Sequence, residues 1–113
     1  MINGRKVITL CGSTKFKEDF ERVDKELSLK GNVVISVAYF GHAEPIPLTS
    51  EEKRLLDEVH LAKIALADEI YVINKHDYIG ASTYKEIDYA RNSSKGVSFM
   101  EPHRPELHSH EHG

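Results

Sequence analysis

Val33, Val34, Ile35 and Val37 follow one another with no polar alternation, the pattern of a strand covered on both faces. A strand buried in this way implies a parallel sheet with helices on its two sides, which constrains the chain more than any other feature. The run Lys6-Val7-Ile8-Thr9-Leu10-Cys11 is also short, apolar and β-branched, and it stops at Gly12-Ser13-Thr14, a tight loop. Ile70 to Ile73 and Gly96-Val97-Ser98-Phe99-Met100 supply two more strands. Segments of helical period separate them. Phe16, Phe20, Val23 and Leu27 fall at steps of 4, 3 and 4 on one face of a helix from Lys15 to Lys30, which Gly31 closes as a left-handed cap. Thr49-Ser50-Glu51-Glu52 is a capping box for a second helix to about Ala67, whose core stripe is predicted to be Leu55, Val59, Ala62 and Leu66. A third helix is expected from about Thr83 to Ser93, after a break at Asn74 to Gly80.

The order β-α-β-α-β-α-β with right-handed crossovers favours a small three-layer α/β sandwich with strand order 2-1-3-4. In that order the chain reverses direction across the sheet between strands 1 and 3, and ligands bind at such a switch point, beyond the carboxyl ends of the strands. The Gly12-Ser13-Thr14 loop, the Asn74 to Thr83 loop and the amino end of the third helix are expected to converge there. The aperiodic stretch Ala38 to Leu48 is long for a connection and is read as a functional loop.

Composition narrows the function classes. With 113 residues, 40% apolar, 29% charged and a formal charge of −3, the chain is read as one globular domain over 1–101. Its acidic balance argues against a nucleic-acid polymer as partner, since that affinity comes mostly from Lys and Arg. No apolar run reaches bilayer length and no secretory signal is read, so the expectation is a cytoplasmic protein without a membrane partner. The single cysteine, Cys11, rules out an internal disulfide and a multi-thiolate zinc cluster, and it reads as a small core residue. Residues 102–113 carry His103, His108, His110 and His112 and read as a solvated tail, with transition-metal binding as the other reading.

Two places carry candidate chemistry. Gly12 permits a sharp turn, and the hydroxyls of Ser13 and Thr14 at a helix amino end make an anion cradle; the alternative is that they only cap the helix. Thr83-x-x-Glu86 reads as a second capping box, yet the same position suits a carboxylate held ionised by the helix dipole and facing the crevice.

The ordered motifs Leu10-Cys11-Gly12-Ser13, Ala67-Asp68-Glu69-Ile70-Tyr71-Val72, Gly80-Ala81-Ser82-Thr83-Tyr84-Lys85-Glu86-Ile87-Asp88-Tyr89-Ala90 and Lys95-Gly96-Val97 resemble the nucleoside 2-deoxyribosyltransferase superfamily. The Cys-Gly-Ser run is most similar to the deoxynucleoside 5′-monophosphate N-glycosidases within it. The resemblance spans about residues 5 to 101 and implies a Rossmann-like, flavodoxin-like fold acting on a nucleoside or nucleotide. It implies that Glu86 attacks the anomeric carbon to give a glycosyl-enzyme intermediate, captured by water or by a second base, with no metal or organic cofactor. Ser13 would lie near phosphate, and Asp68 would orient backbone or pocket groups. Asn74 and Tyr78, in the loop after the third strand, are candidates for sugar or base contact, and His42 for stacking on a base. Two positions depart from the pattern. His60 stands where the superfamily carries an acidic residue and is the candidate acid for the leaving base. Gly80 stands where relatives often have Asp or Ser, with Ser82 the nearest substitute. The superfamily commonly builds its site at a subunit interface, so a homodimer or larger assembly is expected. A binding or sensor module of the same fold without turnover is the alternative.

Overall fold

The computed structural model describes residues 1–41 and 44–104. Four strands, β1 (Val7–Gly12), β2 (Val33–Ile35), β3 (Glu69–Ile73) and β4 (Gly96–Phe99), alternate with three helices, α1 (Lys17–Leu29), α2 (Ser50–Leu66) and α3 (Ala81–Asn92). All strand pairs are parallel and the sheet order is β2-β1-β3-β4, as the crossover argument predicts. Leu10 and Ile73 face α1, where they meet Phe20 and Val23. Cys11, Ile70 and Val72 point the other way, onto Ile64 of α2 and Ile87 and Ala90 of α3. These alternating faces produce the three layers. Gly31 ends α1 at φ +93, as expected of the left-handed cap.

The helix α2 differs from expectation in its rotation. Its predicted core stripe points outward, with Leu55, Val59 and Leu66 at 56%, 40% and 73% exposure, while His60 and Ile64 face the sheet. Apolar residues occur on most sides of α2, so periodicity alone does not set its phase. Thr9 adds a directional tie: its buried hydroxyl donates to the Lys63 carbonyl at 2.8 Å.

The third helix starts two residues before its expected position, at Ala81, with Gly80 as an N-cap that makes no side-chain cap bond. Thr83 therefore lies inside the helix and is buried, so Thr83 and Glu86 are not a capping box.

The segment that follows β4 is stitched to the loop after β3. Asn74 is fully buried; its amide donates to the Glu101 carbonyl (3.0 Å) and to Asp77 (3.0 Å), and its oxygen accepts the Glu101 N–H (2.9 Å). Asp77 also pairs with His103 (3.0 Å) and accepts the Arg104 N–H (3.0 Å). His103, which stacks on Phe99 with ring centroids 4.8 Å apart, is thus part of the packed domain and not of a solvated tail. His108, His110 and His112 lie outside the described residues, as does His42. Burial pushes the Asp77 carboxyl up, but hydrogen bonds from His103, the Arg104 amide and Asn74 outweigh it and hold it at about 2. A carboxyl depressed in the folded state stabilises above its unfolded value and loses that contribution as pH falls through the folded value. Asp77→Ala is expected to cost about 1–3 kcal/mol at neutral pH. Thermal unfolding at pH 7 and pH 2 checks this: the gap from the parent narrows in acid.

Candidate active site

A cavity of about 560 Å³ opens at the carboxyl ends of β1 and β3, at the switch point of the sheet. Four segments build its walls. Gly12, Ser13 and Thr14 come from the end of β1; Lys53, Asp57, His60 and Lys63 from α2; and Tyr78, Gly80, Ser82, Thr83 and Glu86 from the β3–α3 junction and α3. Tyr39 contributes from the stretch after β2.

Gly12 shows why the loop has its sequence. Its φ is +146, and a Cβ there would sit 2.7 Å from the Ile73 carbonyl oxygen on the neighbouring strand. Only glycine lets β1 turn this close to β3. Ser13 then caps the following 3₁₀ turn, Thr14–Phe16, by accepting the Lys15 N–H at 3.4 Å, while also lining the cavity. The cap bond is therefore real, and it leaves the serine facing the cavity. The Lys15 ammonium lies 3.7 Å from the centroid of the Tyr78 ring, joining the two loops at the rim.

The deepest part of the site is a cluster of three ionisable side chains. Cys11 Sγ lies 3.4 Å from His60 Nε2, and that same nitrogen lies 3.9 Å from Glu86 Oε1. Burial drives the electrostatics here. It pushes Glu86 up to about 7, with repulsion from Asp57 adding to the rise and the hydrogen bond to Cys11 opposing it. The sixth residue of α3 is beyond the turn where the helix dipole acts, so the expected dipole-held carboxylate gives way to desolvation. Burial, assisted by Lys63, lowers His60 to about 4, so its ring is neutral at pH 7 and not the ready proton donor expected. The Cys11 thiol is pushed well up by burial and by Glu86, which makes it a poor nucleophile.

Gly12, Ser13, Thr14, Tyr78, Ser82 and Glu86 therefore meet around one cavity, as the topology predicts, and His60 of α2 joins them. Two other predicted site residues do not. Asp68 orients backbone, as expected, but away from the pocket: it lies at the opposite, amino end of the sheet, where it accepts the Val7 N–H at 2.8 Å and pairs with the amino terminus at 3.1 Å. Asn74 commits its amide to Glu101 and Asp77 and does not line the cavity. Cys11, Lys53, Asp57 and Lys63 were missed. The signal for the α2 residues is their spacing from His60, since 53, 57 and 60 share a helix face.

Searches against protein-family models and against curated proteins give no match to this chain. Among the described residues no helix is long and apolar enough to cross a membrane.

Proposed function

We propose that the protein breaks or transfers the N-glycosidic bond of a nucleoside or nucleoside 5′-monophosphate, with Glu86 as nucleophile. The observation that carries this reading is Glu86 itself: a carboxyl with no capping duty, buried at the base of the switch-point cavity and 3.9 Å from an imidazole. Glu86 and His60 each resist charge alone because each is buried. A proton moving from Glu86 to His60 creates a carboxylate and an imidazolium together, and their attraction offsets part of the desolvation. The carboxylate then attacks the anomeric carbon as the bond to the base breaks, and the imidazolium supplies the proton the departing base takes up. Ser13 and Thr14 hydroxyls and the Lys53 ammonium suit a 5′-phosphate or sugar hydroxyl.

The active form on this reading is the pair holding one proton. In metal-free protein kcat/KM is expected to follow a bell with limbs near 4 and 7 that belong to the pair jointly. A rate that only climbs through 7 would mean that the imidazolium is not needed. The function itself is tested by incubating the protein with deoxy- and ribonucleosides and their 5′-monophosphates, with and without a second free base. Chromatography is expected to show released or exchanged base. The neutral ground state of Glu86 and His60 favours a second reading, a binding module without turnover. It predicts ligand-induced thermal shifts with no base released anywhere in the panel.

We also infer self-association through the outer face of α2. Leu55, Val59 and Leu66 are exposed there, and Val59 is also a cavity wall, so a partner packed on this face would enclose the mouth of the site. Leu55→Glu with Leu66→Glu is expected to turn a concentration-dependent dimer into a monomer in sedimentation velocity. Parent protein that stays monomeric at high concentration would rule this out.

A further inference from the structure

We propose that Cys11, His60 and Glu86 form a binding site for a zinc-class divalent cation, with its remaining coordination position open to the cavity. The three donor atoms lie within 4.8 Å of one another. A tetrahedral zinc with ordinary bond lengths holds neighbouring S, N and O donors roughly 3.4–3.6 Å apart. The Sγ to Nε2 distance is already 3.4 Å, and the Nε2 to Oε1 distance of 3.9 Å needs only a small closure by the end of a flexible side chain.

The direction of the contacts separates this arrangement from a proton relay. In a thiol-imidazole-carboxylate relay the acid and the thiol bind opposite ring nitrogens. Here both face Nε2, so the three donors converge on one point. Cys11 is fully buried on β1, and His60 and Glu86 come from α2 and α3, so three packed elements hold the donors before any ion arrives. The donor set selects the class: thiolate and imidazole favour zinc and its neighbours over magnesium or calcium. A dication would also balance a thiolate and a carboxylate that the enclosure cannot hold ionised together otherwise.

This goes beyond the glycosidic reading and does not rest on it. A Glu86 carboxylate engaged by a cation cannot attack carbon, so an occupied site is expected to switch that activity off and a chelator to restore it.

The test is a titration of metal-free, full-length protein with Co²⁺, a visible stand-in for zinc. Cys11 is the only cysteine in the chain, so a thiolate-to-cobalt charge-transfer band reports this cluster alone, and histidines near the carboxyl terminus cannot produce it. The band is expected to saturate at one equivalent, to vanish on adding one equivalent of Zn²⁺, and to be absent in Cys11→Ser. His60→Gln and Glu86→Gln should each weaken Co²⁺ binding by about tenfold or more. Parent protein without the band would overturn the site, and so would a band of unchanged affinity in both the His60 and Glu86 variants. No nucleoside is involved, so failure here leaves the glycosidic reading intact, and absence of turnover leaves this site intact.

Discussion

Glu86→Gln is expected to abolish base release while making the protein more stable above neutral pH. The amide keeps the shape of the side chain but cannot attack the anomeric carbon, and kcat is expected to fall at least about 10³-fold, ~4 kcal/mol of barrier. The stability effect has the opposite sign and follows from burial. Glu86 titrates at about 7 in the folded protein against an ordinary 4.5. A carboxyl raised in the folded state stays protonated longer there than in the unfolded chain, so stability declines as pH rises from 4.5 through 7. The shift corresponds to roughly 3 kcal/mol once both limits are passed. Gln carries no charge to desolvate. The variant should therefore unfold several degrees above the parent at pH 8.5 and show a much smaller difference at pH 4.5, measured with chelator present. Equal melting temperatures at both values would mean that Glu86 is not held in a desolvated site.

Gly12→Ala should be the most damaging single methyl in the protein. Two costs coincide there: a φ of +146 that L residues rarely adopt, and a Cβ 2.7 Å from the Ile73 carbonyl oxygen and 3.1 Å from the Ile73 Cβ. Backbone strain of this kind costs on the order of 1–3 kcal/mol, and the clash can be relieved only by spreading β1 from β3. A total of about 3 kcal/mol or more is expected, a fall in melting temperature of roughly 10–20 °C for a domain of this size. Gly4 provides an internal control, since its φ is +75 but a Cβ there meets nothing within 4 Å. Gly4→Ala should cost only the backbone part, about 1 kcal/mol. Similar losses at the two glycines would show that close approach to Ile73 is not what selects glycine at 12.

Gly12 also illustrates what in this chain can be read without coordinates. A glycine ending a buried strand predicts a close turn, and the non-alternating runs at Val33–Ile35 and in β1 predict a parallel sheet. With handedness these give strand order, and strand order gives the switch point, which brings Ser13, Thr14, Tyr78, Ser82 and Glu86 to one cavity; His60 was indicated only by the family resemblance. The rotation of α2 was not legible because a periodicity count treats His60 as polar and outward, when it is buried against the sheet. The role of Thr83 was misread because a Thr-x-x-Glu spacing fits equally well one turn inside a helix, and the start was set by the extended backbone of Gly80. Asp68 and Asn74 stay out of the cavity for a different reason. Both sit beside strand ends, but Asp68 is at the amino end of β3, and Asn74 turns inward to fasten Glu101. Cys11 reads as core and is core; its sulfur becomes chemically relevant only because α2 and α3 deliver His60 and Glu86 to it across 49 and about 75 residues of chain.

The glycosidic mechanism proposed above requires the Glu86 carboxylate to form a bond to the sugar. Intact mass spectrometry with a 2-deoxy-2-fluoro nucleoside, whose fluorine slows breakdown of a glycosyl-enzyme, tests it most directly. A mass increase of one fluorosugar per chain is expected, carried by the peptide containing Glu86 and absent from Glu86→Gln. Base release that proceeds with no adduct, or with the sugar on another residue, would contradict it.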